Sequence, residues 1–325
     1  MTDPLIFYLL PVGLVVFASI LYLFCRDFKV PNLDNKCVVI TGCDTGFGHQ
    51  LAITLDALGL HVFAGCLTEE GEHELQTKCS ERLQTVRMDV TKSEDIQRCL
   101  ECVKGFLETV DNTVLWAVVN NAGIDICGLV DWTSTDTMKK VFDVNLWGLL
   151  DVTKAFLPLL KKSKGRIVNV ASVAGKLALA GAGAYSGSKY TVQCYSDVLR
   201  RELWHFGVGV HIIDPGFFKT NMTNSAAKCK VIKQLWENLS EEKREEYGQK
   251  CLNEALKLTE MLQYSQDMRP VVDAMEHAVT SSHPKIRYLV GWDHRLLWRW
   301  LAMLPSGLQD VLFLHLLPVP KASVR

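Results

Sequence analysis

Residues 37–48 constrain the fold of this chain more than any other stretch. Cys37-Val38-Val39-Ile40-Thr41 reads as a short strand of the buried type. Gly42-Cys43-Asp44-Thr45-Gly46-Phe47-Gly48 follows, and then Leu51, Ile53, Leu55 and Leu58 mark an apolar-periodic helix. Strand, glycine-rich turn and helix is the arrangement that brings backbone N–H groups against a pyrophosphate. Glycines suit it because a side chain would hold such a ligand off. The spacing is G-x-x-x-G-x-G, and a turn built only for tight packing would also use glycines in this way.

The alternation continues along the chain. His61–Cys66 reads as a second strand and Leu83–Val90 as a third, with Asp89 near its end. Trp116–Val119 is a fourth, followed by Asn120-Asn121-Ala122-Gly123. Gly165–Ser172 is a fifth and Val208–Ile213 a sixth, leading into Asp214-Pro215-Gly216 and on to Thr220. Ile286–Val290 is a last edge strand. Between them, Thr91-Lys92-Ser93-Glu94 predicts a capping box that opens a helix toward Val110. Long helices are expected over 141–159 and 185–206. Strands alternating with helices of this length predict an α/β fold: a Rossmann-type, doubly wound parallel sheet in a single domain over 31–290.

Composition excludes some classes and adds a membrane. A chain of 325 residues, 48% apolar and 22% charged, has ample material for a large core. A net charge of -1 without a basic tract gives nucleic acid nothing to bind. Eleven cysteines, odd in number and scattered, read as reduced thiols in a reducing compartment. Cys99 and Cys102 form a lone C-x-x-C without the further ligands zinc needs, so no metal site is expected. Leu5–Cys25 contains no charged residue. At about 1.5 Å per residue it just spans a hydrocarbon core of roughly 30 Å. Its flanks, Met1-Thr2-Asp3-Pro4 and Leu23-Phe24-Cys25-Arg26, lack the basic start and small-residue cleavage site of a signal peptide. Residues 1–30 are therefore expected to form an N-terminal transmembrane anchor. Arg26, Lys29 and Lys36 follow it, which would leave the body of the chain in the cytosol. The charged helical stretch 226–266 is either a lid over a substrate pocket or a solvated face. The apolar segment 296–317 is interrupted by Arg299, Pro305 and Asp310, so it is expected to lie along the membrane interface or over the pocket, not to span.

The chemistry centres on Tyr185-Ser186-Gly187-Ser188-Lys189. Four residues apart on a helix, Tyr185 and Lys189 share one face. A nearby ammonium lowers a phenol's pKa, and such a phenol can take a hydroxyl proton while hydride leaves the same carbon. Alone, Tyr-x-x-x-Lys is a weak motif. Ser172 ends the fifth strand between Ala171 and Val173, which is not the G-x-S-x-G of a nucleophile elbow. It is better placed to hydrogen-bond a substrate oxygen, so a serine hydrolase is not expected. Asn120–Gly123 suits a tight turn that lets backbone approach a ligand. Asn145, inside an apolar helical pattern, must be hydrogen-bonded, as a functional contact or at a kink. Asp89 is either an adenine contact or an ordinary strand-end carboxylate. An acid at the end of the second strand would bind a ribose 2′-hydroxyl, and a base a 2′-phosphate. Here stand Cys66-Leu67-Thr68-Glu69-Glu70, with no basic residue, and Asp44 would repel a phosphate. The balance favours NAD over NADP.

Together, Thr41-Gly42-x-x-x-Gly46-x-Gly48, Asn120-Asn121-Ala122-Gly123, Asn145, Ser172, Tyr185-x-x-x-Lys189 and Pro215-Gly216 resemble the short-chain dehydrogenase/reductase family in order and spacing. Thr41-Gly42-Cys43-Asp44-Thr45-Gly46-Phe47-Gly48, Cys66-Leu67-Thr68-Glu69-Glu70-Gly71, Met222-Thr223-Asn224 and Gly291-Trp292-Asp293 resemble its membrane-bound retinol and 3α/17β-hydroxysteroid dehydrogenases. The resemblance implies that Tyr185 is the acid/base, that Lys189 lowers its pKa and binds the nicotinamide ribose, and that Ser172 holds the substrate oxygen. It implies that Asn145 supports a proton relay to Lys189. Thr41, Gly42, Asp44, Gly46, Phe47 and Gly48 would bind the pyrophosphate side of NAD. Asp89 and Asn120, Asn121, Ala122 and Gly123 would line its adenosine side, and Pro215, Gly216 and Thr220 would close on the nicotinamide. The family's NAD-selecting acid would fall near Cys66, which cannot do that work. The implied substrate is a lipophilic alcohol, a retinoid first and a steroid second, and the implied site is the endoplasmic reticulum membrane. A membrane-tethered NAD-binding protein without activity is the rival reading, and a homodimer is left open.

Overall fold

The computed structural model describes residues 28–261 and 265–316. Seven strands make one sheet: β1 (Lys36–Thr41), β2 (His61–Cys66), β3 (Leu83–Arg87), β4 (Val114–Asn120), β5 (Arg166–Val170), β6 (Gly209–Pro215) and β7 (Arg287–Val290). Their order is β3-β2-β1-β4-β5-β6-β7, and every neighbouring pair is parallel. The chain runs outward from β1 to β3, returns to β4 on the other side of β1, and then runs outward again. The strand ends therefore part between β1 and β4, which is where a doubly wound sheet opens a crevice.

Alternation along each strand fills two cores. Val38 and Ile40 of β1 point to one face, where they pack with Leu51 and Leu55 of α1 (Gly46–Ala57) and Val271 and Met275 of α9 (Arg269–Thr280). Val39 points to the other face, with Phe63, Ile96 and Leu100 of α3 (Ser93–Thr109), and Phe156 and Leu160 of α5 (Leu149–Ser163). The remaining long helices are α2 (Glu69–Lys78), α4 (Thr135–Phe142), α6 (Gly183–Glu202), α7 (Ser225–Glu237), α8 (Glu241–Met261) and α10 (Ser306–Leu316). α8 bends at Gly248, where φ is 72°.

Two local expectations change. The capping box at Thr91 is absent: α3 starts after Lys92 with no side-chain cap. Thr91 turns back to Asp89 instead: its N–H (3.0 Å) and its Oγ1 (2.7 Å) both donate to Asp89 Oδ1. The helix expected over 141–159 is also not continuous. α4 and α5 are joined by a π-helical segment, Asp143–Gly148, which turns Asn145 and Leu146 into the protein. The apolar run Leu5–Cys25 lies outside the described residues, and no helix among those described is long and apolar enough to cross a membrane.

Candidate active site

The carboxyl ends of β1, β4, β5 and β6 open into a cavity of about 1100 Å³. Its cofactor-like side is made of two loops locked together. Thr41 Oγ1 accepts from the N–H groups of Asn121 (3.1 Å) and Ala122 (3.0 Å), and Asn121 Nδ2 donates to the carbonyls of Thr41 (3.0 Å) and Gly42 (2.8 Å). Gly42 sits at φ 69°, and a Cβ there would stand 2.8 Å from Ala122 Cα. Gly46 and Phe47 open α1 behind Thr45, whose side chain makes no cap, and both line the cavity.

Asp44 settles where the strand-end acid went. Its carboxylate accepts from the N–H groups of Leu67 (2.9 Å) and Thr68 (2.8 Å) and from Thr68 Oγ1 (2.7 Å). A negative charge thus stands beside the end of β2, delivered from the glycine turn and not from Cys66. Gly71 leaves the room for it, since a Cβ there would meet the Asp44 Cα at 2.8 Å.

At the centre of the cavity stand Ser172, Tyr185 and Lys189. Ser172 follows β5 and caps a short turn, accepting from Ala174 N–H at 3.2 Å. Tyr185 and Lys189 lie on α6, with Lys189 Nζ 5.8 Å from the Tyr185 ring centroid. Lys189 Nζ donates to the Val170 carbonyl at 2.8 Å. Asn145 is buried behind them. Its Oδ1 accepts from Ile124 N–H at 2.8 Å, while Nδ2 donates to the Ile124 carbonyl (2.9 Å) and Ser188 Oγ (3.0 Å). Asn145 sits in a distorted turn, and its hydrogen bonds fix the loop beside Lys189.

The phenol's electrostatics differ from expectation. Enclosure in the cavity holds the Tyr185 pKa above its ordinary value, Asp125 adds to this, and the Ser172 hydroxyl and Lys228 lower it. Burial brings the Lys189 ammonium down to about 8, and its Nζ is turned to the Val170 carbonyl.

The loop after β6 closes one wall. Asp293 Oδ2 accepts from Phe217 N–H and Trp298 Nε1, both at 3.2 Å. Gly216 is required beside it, since a Cβ there would fall 2.5 Å from Asp293 Oδ1. Asp214, fully buried, is held by Lys176 Nζ at 2.6 Å and Gln193 Nε2 at 3.1 Å. Sequence reasoning gave Asp293 and Asp214 no role. Gly291-Trp292-Asp293 stood out as text, but its partner at Phe217 is a tertiary contact.

Gly42, Asp44, Gly46, Phe47, Asp89, Asn121, Ala122, Gly123, Ser172, Tyr185, Lys189, Pro215, Gly216 and Thr220 all line the cavity. Thr41, Gly48, Asn120 and Asn145 stand behind its wall. Asn120 Nδ2 is turned away, donating to Thr153 Oγ1 and Asn169 Oδ1, both at 2.9 Å, which ties β4 to β5 and α5. The opposite wall is apolar and comes from Val231 and Ile232 of α7, Leu258 of α8, and Trp298, Phe313 and Leu314 of the C-terminal segment.

Residues 36–230 match the short chain dehydrogenase family. The chain is a short-chain dehydrogenase. The dehydrogenase is similar to retinol dehydrogenase 16 of Rattus norvegicus, 45% identical over 315 residues that cover 96% of this chain and 98% of the relative. It is similar to 17-beta-hydroxysteroid dehydrogenase type 6 of Bos taurus, 45% identical over 311 residues that cover 94% and 97%. Among solved structures, a short-chain dehydrogenase from Streptomyces avermitilis superposes with a TM-score of 0.68 at 23% identity, covering 85% of this chain and 95% of that one. That likeness shows the same fold.

Proposed function

We propose that this dehydrogenase oxidises a lipophilic secondary or allylic alcohol with NAD, retinol first and a 3α- or 17β-hydroxysteroid second. The observation that carries the reading is the meeting of Ser172, Tyr185 and Lys189 on the floor of a cavity whose far wall is apolar. When bound, the nicotinamide cofactor supplies the hydride acceptor and a positive ring. Ser172 Oγ would hold the substrate oxygen, and Tyr185, as the phenolate that a positive cofactor ring beside it would favour, takes the hydroxyl proton as the carbon becomes a carbonyl. Lys189, anchored on Val170, lies within reach of both the phenol and the ribose side. Asn145 keeps Gly123 and Ile124 in register beside it.

Asp44 supports NAD over NADP. Its carboxylate is fixed next to the end of β2, where a 2′-hydroxyl would be accepted and a 2′-phosphate repelled. α7 and α8 act as the lid, and residues 296–316 cover the substrate. An N-terminal anchor and this apolar cover suit a substrate drawn from a membrane, with the body on the cytosolic face of the endoplasmic reticulum. The relatives' names, retinol dehydrogenase 16 and 17-beta-hydroxysteroid dehydrogenase type 6, support both substrate classes.

The test is direct competition of retinol isomers against androstane diols on membranes carrying the full chain, with NAD and with NADP. The reading expects turnover with NAD, highest for a retinol. Binding of NAD without turnover of any alcohol would favour the inactive, tethered reading instead.

A further inference from the structure

Behind the floor of the cavity lies a carboxylate that neither the cofactor side nor the apolar wall uses. Asp214 stands one residue before the end of β6 and is fully buried. Its Oδ2 lies 2.6 Å from Lys176 Nζ, and its Oδ1 accepts from Gln193 Nε2 at 3.1 Å. His294, also fully buried, donates through Nδ1 to the Asp214 carbonyl at 2.8 Å and places Nε2 3.9 Å from Oδ2. Lys176 ends the short turn Val173–Gly175 that Ser172 opens. Gln193 lies on α6, one helical turn beyond Lys189, and its Nε2 is 3.5 Å from the Ser172 carbonyl. Between them Gly175 packs so closely on α6 that a Cβ there would stand 2.7 Å from the Lys189 carbonyl oxygen.

A fully buried carboxylate is costly unless it is paired and hydrogen-bonded. The partners of this one sit on the Ser172 turn, on the helix that carries Tyr185 and Lys189, and on the C-terminal segment. The near end of the turn is tied to the sheet by Ala171 N–H, which donates to the Ile213 carbonyl at 2.8 Å. At the far end the tie is Lys176 on Asp214. Within the turn, Ser172 Oγ accepts from Ala174 N–H, which leaves its O–H free to donate toward the phenol. A turn drifting off α6 would carry that hydroxyl away from Tyr185. We propose that Asp214 is a positioning residue: through Lys176 and Gln193 it clasps the Ser172 turn against α6 and so sets the Ser172 hydroxyl relative to the Tyr185 phenol. This rests on the dehydrogenase reading above, in which both hydroxyls meet the substrate oxygen, and adds to it a residue that touches neither substrate nor cofactor.

The test is a double-variant cycle on the full chain in membranes. It reads the single-turnover rate of NADH formation from whichever alcohol of the competition above turns over fastest. Asp214→Asn keeps a polar partner for Gln193 and frees Lys176, 27% exposed, to reach water. It should lower the rate roughly 10- to 100-fold, with NADH affinity kept within a few-fold. In a Ser172→Ala background the same change should cost less than about three-fold more, because the group it positions is gone. Lys176→Met/Asp214→Asn leaves no charge buried; it should repeat the result, and it carries the test if Asp214→Asn alone does not bind NADH. An undiminished rate in these variants, or a loss of equal size with and without Ser172, would overturn the inference and leave the broader reading standing. Loss of NADH binding in both would mark a purely structural role and overturn it equally. Turnover of no alcohol by the native enzyme would overturn both.

Discussion

Where the cleft faces β1 and β4, its wall is backbone. Thr41, Gly42, Asn121 and Ala122 close on one another through bonds from two short side chains, Thr41 Oγ1 and Asn121 Nδ2, to main-chain groups at 2.8–3.1 Å. Where it faces α7 and α8, its wall is side chains on helices contributed from far along the chain. Trp132 in that wall is backed edge-on by Trp236 at 5.2 Å, and Lys228 reaches across to Asp125 at 2.7 Å. The first wall fits a constant ligand and tolerates almost no added atoms. The second can change its shape or polarity by exchanging one side chain, while the sheet beneath stays as it is.

That contrast predicts unequal responses to substitution. Gly42→Ala places a Cβ against Ala122 and asks alanine to adopt φ 69°. It should weaken NADH binding by roughly 100-fold and destabilise the fold by about 1–3 kcal/mol, read by fluorescence titration and thermal melting. Asp44→Ala removes the charge held at Leu67 and Thr68, and should reduce the preference for NAD over NADP by roughly 10- to 100-fold in kcat/KM. On the other wall, Trp236→Ala should raise the KM for a lipophilic alcohol by roughly 10-fold, with NADH affinity unchanged, because it loosens α7 over Trp132. Equal losses of cofactor binding at Gly42 and Trp236 would break the comparison.

The last effect concerns neither wall and leaves the chemistry untouched. His211, buried in β6, is brought down to about 4 by burial, and its Nδ1 lies 2.8 Å from the Lys285 carbonyl. Its folded value is below its unfolded one, so its contribution is fully present above about 6.5 and is lost as pH falls toward 4. The loss should approach roughly 3 kcal/mol. His211→Phe should flatten the acid limb of the stability curve, measured by denaturant unfolding against pH.

The same contrast explains what could be read from the sequence. All seven strands were legible, with ends moved by a few residues, because buried parallel strands are continuous apolar runs bounded by polar or glycine turns. The glycine turn, Asn121–Gly123, Ser172 and the Tyr185/Lys189 pair were legible because each sits at a strand's carboxyl end or on one helix face. Asp44's position was not, because its partners lie 23 and 24 residues on and are met only when β2 pairs with β1. The π-helical turn at Asn145 was hidden for a similar reason: its cause is a bond to Ile124 across the cleft. Asp125 and Lys228 carry no local signal at all. The C-terminal segment left two readings open, and its Phe313 and Leu314 line the cavity.

The central claim is that one phenol on α6 moves the proton. Single-turnover formation of NADH from the favoured alcohol, compared between the native enzyme and Tyr185→Phe, tests it most directly when NADH affinity is measured alongside. The account predicts a fall of roughly 100- to 10,000-fold in rate with affinity kept within a few-fold. A variant that kept more than about a tenth of the native rate would contradict it.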